Sequence, residues 1–166
     1  HDALPIWHRV ADFGAGSGAY TFALAKKIGA DNGKVFAVEV QKELLERLKA
    51  EADRQGLSNV EIIWADIEAA NSTHMADDSV DAVVVSNVLF QAESKPAVVN
   101  EVKRILKPGG QVLLIDWTDS FGGLAPTPGA IVPEAAAREM FTKAGFSVQK
   151  NFDAGEHHYG LVLIKQ

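Results

Sequence analysis

Short runs rich in Val, Ile and Phe alternate along this chain with stretches whose apolar residues recur at helical spacing, and that alternation constrains the fold more than any other feature. Residues 9–13, 34–40, 60–65, 80–85 and 111–117 read as strands. Residues 19–28 and 44–52, with a segment capped by Ser94 and carrying Pro96 in its first turn, read as the intervening helices. Strands that are apolar on nearly every residue belong in a mostly parallel sheet covered on both faces. Lys107-Pro108-Gly109-Gly110 reads as a stop and turn before the fifth strand. After a long connection (118–132) and a helix over 134–144, residues 146–152 and 159–165 read as an antiparallel pair around a short turn. Right-handed crossovers bring every strand-to-helix loop to one edge of the sheet, where any chemistry belongs. With 166 residues and no internal repeat or linker, residues 1–166 are expected to form one α/β domain.

Composition removes several classes of function. There is no cysteine, hence no disulfide framework, thiol nucleophile or thiolate metal site. Sixteen Lys+Arg against 22 Asp+Glu give a net charge of -6, with the acidic excess in the first half and no basic stripe. This works against nucleic acid and anionic membrane as partners. No apolar run is long enough to span a bilayer. Residues 1–7 lack the pattern of a secretory signal, so a cytoplasmic location is expected. Asn71-Ser72-Thr73 matches a glycosylation sequon, a triplet frequent by chance.

Chemistry concentrates in Asp12-Phe13-Gly14-Ala15-Gly16-Ser17-Gly18, between the first strand and its helix. Glycines there let the backbone approach a ligand, and the following helix aims its N–H groups at the same place. Gly14, Gly16 and Ala19 also satisfy the dinucleotide pattern. Glu39, ending the second strand, can accept from ribose hydroxyls, a feature shared by nicotinamide and S-adenosylmethionine sites. Asp66 and Ile67, after the third strand, suit an adenine amino group and its ring. Asp12 is costly to bury without compensation. A sulfonium cofactor would compensate it, whereas a pyrophosphate would be repelled, so charge favours S-adenosylmethionine.

On these residues the chain resembles the class I S-adenosylmethionine-dependent methyltransferases, of the small-molecule branch that includes quinone-biosynthesis C-methyltransferases. The carriers are residues 10–18, Val38-Glu39-Val40, Ala65-Asp66-Ile67, residues 84–89 and Leu106-Lys107-Pro108-Gly109-Gly110. The resemblance implies a Rossmann-like, doubly wound, seven-stranded sheet ending in an antiparallel hairpin, with helices on both faces. It also implies that Gly14, Gly16, Ser17 and Gly18, with Ala15 among them, line the methionine part. Glu39 and Val40 would hold the ribose, Asp66 and Ile67 would flank adenine, and Ser86 would sit under the cofactor.

The expected activity is transfer of a methyl group to a small-molecule acceptor by in-line displacement, leaving S-adenosylhomocysteine. The other readings are a catalytically silent S-adenosylmethionine-binding module working with a partner protein, and an NAD-dependent oxidoreductase. Ser86-Asn87-Val88-Leu89 lacks the Asn/Asp-Pro-Pro-aromatic motif of base-amino methyltransferases, and the lack of cysteine excludes arsenic methylation through thiolates. Asp116 and Asn87 read as ordinary polar residues rather than magnesium ligands, and no metal site is expected. The beginning of the reversed last strand lies on the cofactor edge, which brings His157, His158 and Tyr159 there, with Ser120 and Phe121 of the long connection. A base for a protic acceptor is sought in His157 or His158, then Asp116. Members of the family usually carry N-terminal helices over the cofactor. Here one short segment precedes the first strand, so the chain is either a truncated piece or a minimal core with an open pocket.

Overall fold

The computed structural model describes residues 7–120 and 126–166; Phe121 lies outside the described residues. Seven strands form one sheet: β1 (Arg9–Phe13), β2 (Lys34–Glu39), β3 (Val60–Trp64), β4 (Val80–Ser86), β5 (Leu106–Trp117), β6 (Phe146–Asp153) and β7 (His158–Lys165). Their order is β3-β2-β1-β4-β5-β7-β6. The first five are parallel, and β7 runs antiparallel between β5 and β6. This is the Rossmann-like architecture expected, with the hairpin at one side.

Side chains alternate across each strand, so each strand contributes to two cores. Ala11, Phe13, Phe36, Val38, Val83, Val85 and Leu114 pack with Val98, Val102 and Ile105 of α3 (Lys95–Ile105) and with Ala137 and Phe141 of α4 (Glu134–Lys143). On the opposite face Ala37 joins Phe22 of α1 (Ala19–Ile28) and Leu48 and Ala52 of α2 (Lys42–Arg54), while Val10 and Val84 meet Leu24 and Ile28. Helices therefore cover both faces, and β1 and β4 are almost wholly buried. Among the parallel strands β3 departs most from the apolar expectation. It is an edge strand, and its Glu61 and Trp64 reach solvent.

The turn expected at Lys107–Gly110 is a bulge inside β5. The register moves from Val80↔Leu106 to Ala82↔Gln111, and Gly109 takes φ 79 to absorb the extra residues. Ser94 does precede α3, yet its side chain makes no cap bond. A turn of 3-10 helix at Leu89–Gln91, not evident from periodicity, follows β4. Among the described residues no helix is long and apolar enough to cross a membrane.

Pairing fixes where β7 starts. Trp117 lies opposite His158 and Asp116 opposite Tyr159, so the beginning of β7 meets the end of β5 at the loop-bearing edge. Gly160 then faces Ile115 on one side and Phe152 on the other, and a methyl group there would come within 2.4 Å of the Phe152 ring. Gly160→Ala is expected to displace that half-buried ring and to lower stability by roughly 1–2 kcal/mol, read from the urea midpoint at unchanged slope.

Candidate active site

Where β1, β2, β3 and β4 end, their loops enclose a cavity of about 500 Å³. That size suits a small-molecule cofactor. Asp12, Gly14, Ala15, Gly16 and Ser17 line it from β1 and its loop, Glu39 and Val40 from β2, Asp66 and Ile67 from beyond β3, and Ser86 from β4. Of the residues expected to bind cofactor, Gly18 alone does not line it.

The glycine loop is held mainly by backbone bonds. Gly14 and Ala15 N–H both donate to the Val38 carbonyl (3.0 and 3.1 Å), and Gly18 N–H donates to that of Ala15 (2.9 Å). Gly16 has φ 57 with nothing closer than 3.7 Å to an added methyl, so its glycine requirement is one of backbone conformation. Gly18 answers to packing as well: with φ 88, a methyl there would lie 2.4 Å from Phe22 and 2.7 Å from Leu48. The sequence pattern could not separate a ligand-facing glycine from one pressed under its own helix.

Glu39 is 7% exposed, and its carboxylate joins two loops. Oε1 accepts from Gly16 N–H at 2.9 Å, while Oε2 accepts from Val40 N–H at 2.9 Å and Gln41 N–H at 3.1 Å. A carboxylate has about four acceptor positions, so about one remains for a ligand hydroxyl. Asp66 Oδ1 accepts from Glu68 N–H at 3.0 Å, which closes the loop after β3. Glu68, also on the cavity wall, accepts from Ser94 N–H at the start of α3. Trp64, more than half exposed, donates from its indole to the Val40 carbonyl at 2.9 Å and carries Lys42 over its ring.

Asp12 is 1% exposed and accepts from the Thr21 hydroxyl at 2.6 Å. Burial pushes its pKa up to about 6; the Thr21 hydroxyl and amide pull it back, and the charge of Glu39 raises it. No cation pairs with Asp12 or Glu39 among the described residues. Among the described residues the cavity thus has four carboxylates on its wall (Asp12, Glu39, Asp66, Glu68) and no Lys, Arg or His.

Asp116, His157 and His158 do not line this cavity. Asp116 is fully buried: Oδ2 accepts from Leu89 N–H at 3.0 Å and Oδ1 from Trp117 N–H at 2.8 Å. It anchors the 3-10 turn, and burial raises its pKa against those amide bonds. His157 Nδ1 lies 2.8 Å from Asp119 Oδ1. The His158 ring packs against Trp117 with centroids 4.1 Å apart and planes inclined at 38°, and Phe90 and Trp117 meet edge-to-face at 6.4 Å. Burial, then the neighbouring His157, lowers the His158 pKa. The row His158–Trp117–Phe90 runs toward Gln91, which does line the cavity. No cluster of three potential metal ligands occurs among the described residues.

The fold, with this acid-walled, glycine-looped cavity at the strand tips, defines an α/β domain of the Rossmann-like class. Residues 8–155 match the family model described as a methyltransferase domain, and the chain belongs to that family. It is 36% identical over 112 residues (65% of this chain, 32% of the other) to an arsenite methyltransferase of Aquipseudomonas alcaligenes. It is 29% identical over 107 residues (64% and 41%) to a demethylmenaquinone methyltransferase of Lactococcus lactis. The chain therefore spans a third to two fifths of the length of these two relatives. A crystal structure of a SAM dependent methyltransferase from Aquifex aeolicus superposes with a TM-score of 0.84 at 25% identity, covering 95% of this chain and 81% of that one.

The site predicts a trade between stability and binding at Asp12. Between the ordinary value of 3.8 and about 6, the folded protein keeps a proton that the unfolded chain releases. Stability therefore falls as pH rises through that window. Asp12→Asn is expected to be more stable than wild type at pH 7, by up to ~3 kcal/mol, in urea titrations. That advantage should vanish below pH 4, and the substituted protein should bind a cationic ligand more weakly at pH 7.

Proposed function

We propose that this domain binds S-adenosylmethionine and directs its methyl group to a small-molecule acceptor. The observation that carries this reading is the wall of four carboxylates with no cationic side chain. A ligand bearing an ammonium and a sulfonium gains there, whereas a diphosphate-bridged dinucleotide would be repelled. The residues fit the group. Asp66 and Ile67 would hold adenine and Glu39 the ribose, and the Gly14–Ser17 loop and Ser86 would receive the methionine part, with Asp12 beneath it. When bound, the sulfonium supplies a methyl group already activated for displacement. The chain then has to orient the acceptor in line and keep water out, which can supply ~7–11 kcal/mol of barrier reduction.

For an acceptor that must lose a proton, His158 is the base in this proposal. Burial and the neighbouring His157 lower its pKa, which favours the neutral ring, and its Nε2 makes no hydrogen bond within the protein. His157 is engaged with Asp119, and Asp116 with backbone amides, which makes them positioning groups here. The Phe90–Trp117–His158 row favours a flat, apolar or aromatic acceptor. The two named relatives differ in acceptor and do not choose between them. This chain offers no thiol to a metalloid, because it has no cysteine. A net charge of -6 keeps nucleic acid out of the proposal. A cytoplasmic setting and help from a partner protein belong to it.

Calorimetry should show S-adenosylhomocysteine binding and no binding of NAD. Asp66→Ala should weaken the former by about tenfold, the scale of a lost hydrogen bond to a charged group. The reverse preference would overturn the reading. Incubation with isotopically labelled S-adenosylmethionine and a metabolite extract should label one compound, identifiable by mass. On that compound His158→Ala should lower kcat about 100-fold without changing S-adenosylhomocysteine affinity. Wild-type turnover in both His158→Ala and His157→Ala would remove histidine base catalysis from the proposal.

A further inference from the structure

Between β3 and β4 the chain makes a loop, residues 65–79. Its first part carries Asp66, Ile67 and Glu68 on the cavity wall, and its second part lies against the last turns of α3. Three non-glycine residues of this loop take left-handed backbone: Asn71 (φ 58), His74 (φ 55) and Asp78 (φ 51). That conformation costs free energy and persists only where the surroundings over-determine it. A polar cluster on α3, untouched by the chemistry proposed above, does so here. Glu101 is 3% exposed and Thr73 2%. The Glu101 carboxylate accepts from Arg104 Nε at 2.7 Å and Nη2 at 2.9 Å, and from the Thr73 hydroxyl at 2.8 Å. Arg104 Nη1 donates onward to the Met75 carbonyl at 2.7 Å and to Asp77 at 2.8 Å. The Arg104 carbonyl in turn accepts from Asp78 N–H at 2.9 Å.

A buried carboxylate–guanidinium pair is a weak source of stability, because desolvation offsets much of the attraction. What the two-pronged arginine contact does supply is fixed direction. That direction reaches the cavity by a short path. Ser72, next to Thr73, donates from its hydroxyl to the Asp66 carbonyl, and Asp66 Oδ1 accepts from Glu68 N–H at 3.0 Å. Ile67 packs on the same core as Met75. At the start of α3, Ser94 N–H donates to Glu68. The helix therefore holds this loop from both of its ends, and the exposed Asp66 carboxylate takes its place from that hold. We propose that Thr73, backed by Glu101 and Arg104, is a positioning residue for the purine. It fixes where the Asp66 carboxylate stands, and so how sharply the domain tells an adenine amino group from the carbonyl oxygen of hypoxanthine. The proposal rests on the S-adenosylmethionine reading above.

Calorimetry with S-adenosylhomocysteine and S-inosylhomocysteine, which differ only in that amino group, tests the role, with melting temperatures measured alongside. Wild type is expected to bind the adenine compound about tenfold or more tighter, the scale of a hydrogen bond to a charged group. Thr73→Val removes the hydroxyl, leaves the Glu101–Arg104 pair whole, and should lower that preference about fivefold. Thr73→Ser, which keeps the hydroxyl, should retain it. Arg104→Lys keeps the charge and loses the fork; it should shift the preference the same way and serves if Thr73→Val does not fold. Gly160→Ala, on the far side of the sheet order, should lower the melting temperature and leave the preference unchanged. A wild-type preference in Thr73→Val or Arg104→Lys at a lowered melting temperature overturns the inference and leaves the cluster a stabilising one. Wild type that binds both compounds equally overturns it too, since the loop then reads no amino group. Wild type that binds neither sinks the cofactor reading itself, so the two failures are distinguishable.

Discussion

Backbone N–H groups at the tips of β1 and β2 need acceptors, and the Glu39 carboxylate supplies them. By taking Gly16 N–H on one oxygen and Val40 and Gln41 N–H on the other, it ties the glycine loop to the end of the neighbouring strand. The Val38 carbonyl reinforces the same junction through Gly14 and Ala15. Because the bonds to Glu39 are charge-assisted and nearly shielded from water, they are stronger than neutral ones at the surface. The shape of the cavity follows from this junction. A ligand sugar would meet a carboxylate already fixed in orientation.

The same junction sets the charge of the site. Asp12 lies buried on the adjacent strand with a hydroxyl and an amide for company and no cation. A protein built only for stability would gain by neutralising it. Retaining an ionisable group in such a place makes sense when something positively charged completes it, in line with the general trade between stability and function. Family membership, the acid wall and the glycine loop therefore point the same way, through independent kinds of observation.

The region around the end of β5 has a different physical character. From the Leu89–Gln91 turn outward it is aromatic and imidazole-bearing, with Trp117 between Phe90 and His158. Asp116 does not line the cavity; its carboxylate holds the start of the Leu89–Gln91 turn and the end of β5 through the Leu89 and Trp117 amides. The two relatives named above each match about two thirds of this chain, and their names give different acceptors, arsenite and demethylmenaquinone. That is the pattern expected when cofactor loops are fixed by the sheet and acceptor contacts by variable connections.

Much of this was legible in the residues. Apolar β-branched runs, helical periodicity and glycine punctuation located the seven strands and four helices to within a few residues, because these patterns report local geometry and burial directly. Asp12, the glycine loop, Glu39 and Asp66 stood out because strand-tip acids and loop glycines have few structural reasons to be there. Other features were hidden. The bulge at Lys107–Gly110 depends on how β5 pairs with β4, and the duty of Gly18 depends on Phe22 and Leu48 arriving from two helices. Asn87 looked ordinary because its left-handed backbone (φ 57) is held by bonds to Ile115 and Gln91, which no local pattern announces. The sequence by itself determined the layered α/β fold and the edge at which the cavity opens. Only the tertiary structure decided which acids face the cavity and which hold backbone, since a side chain's role is set by partners distant in the chain.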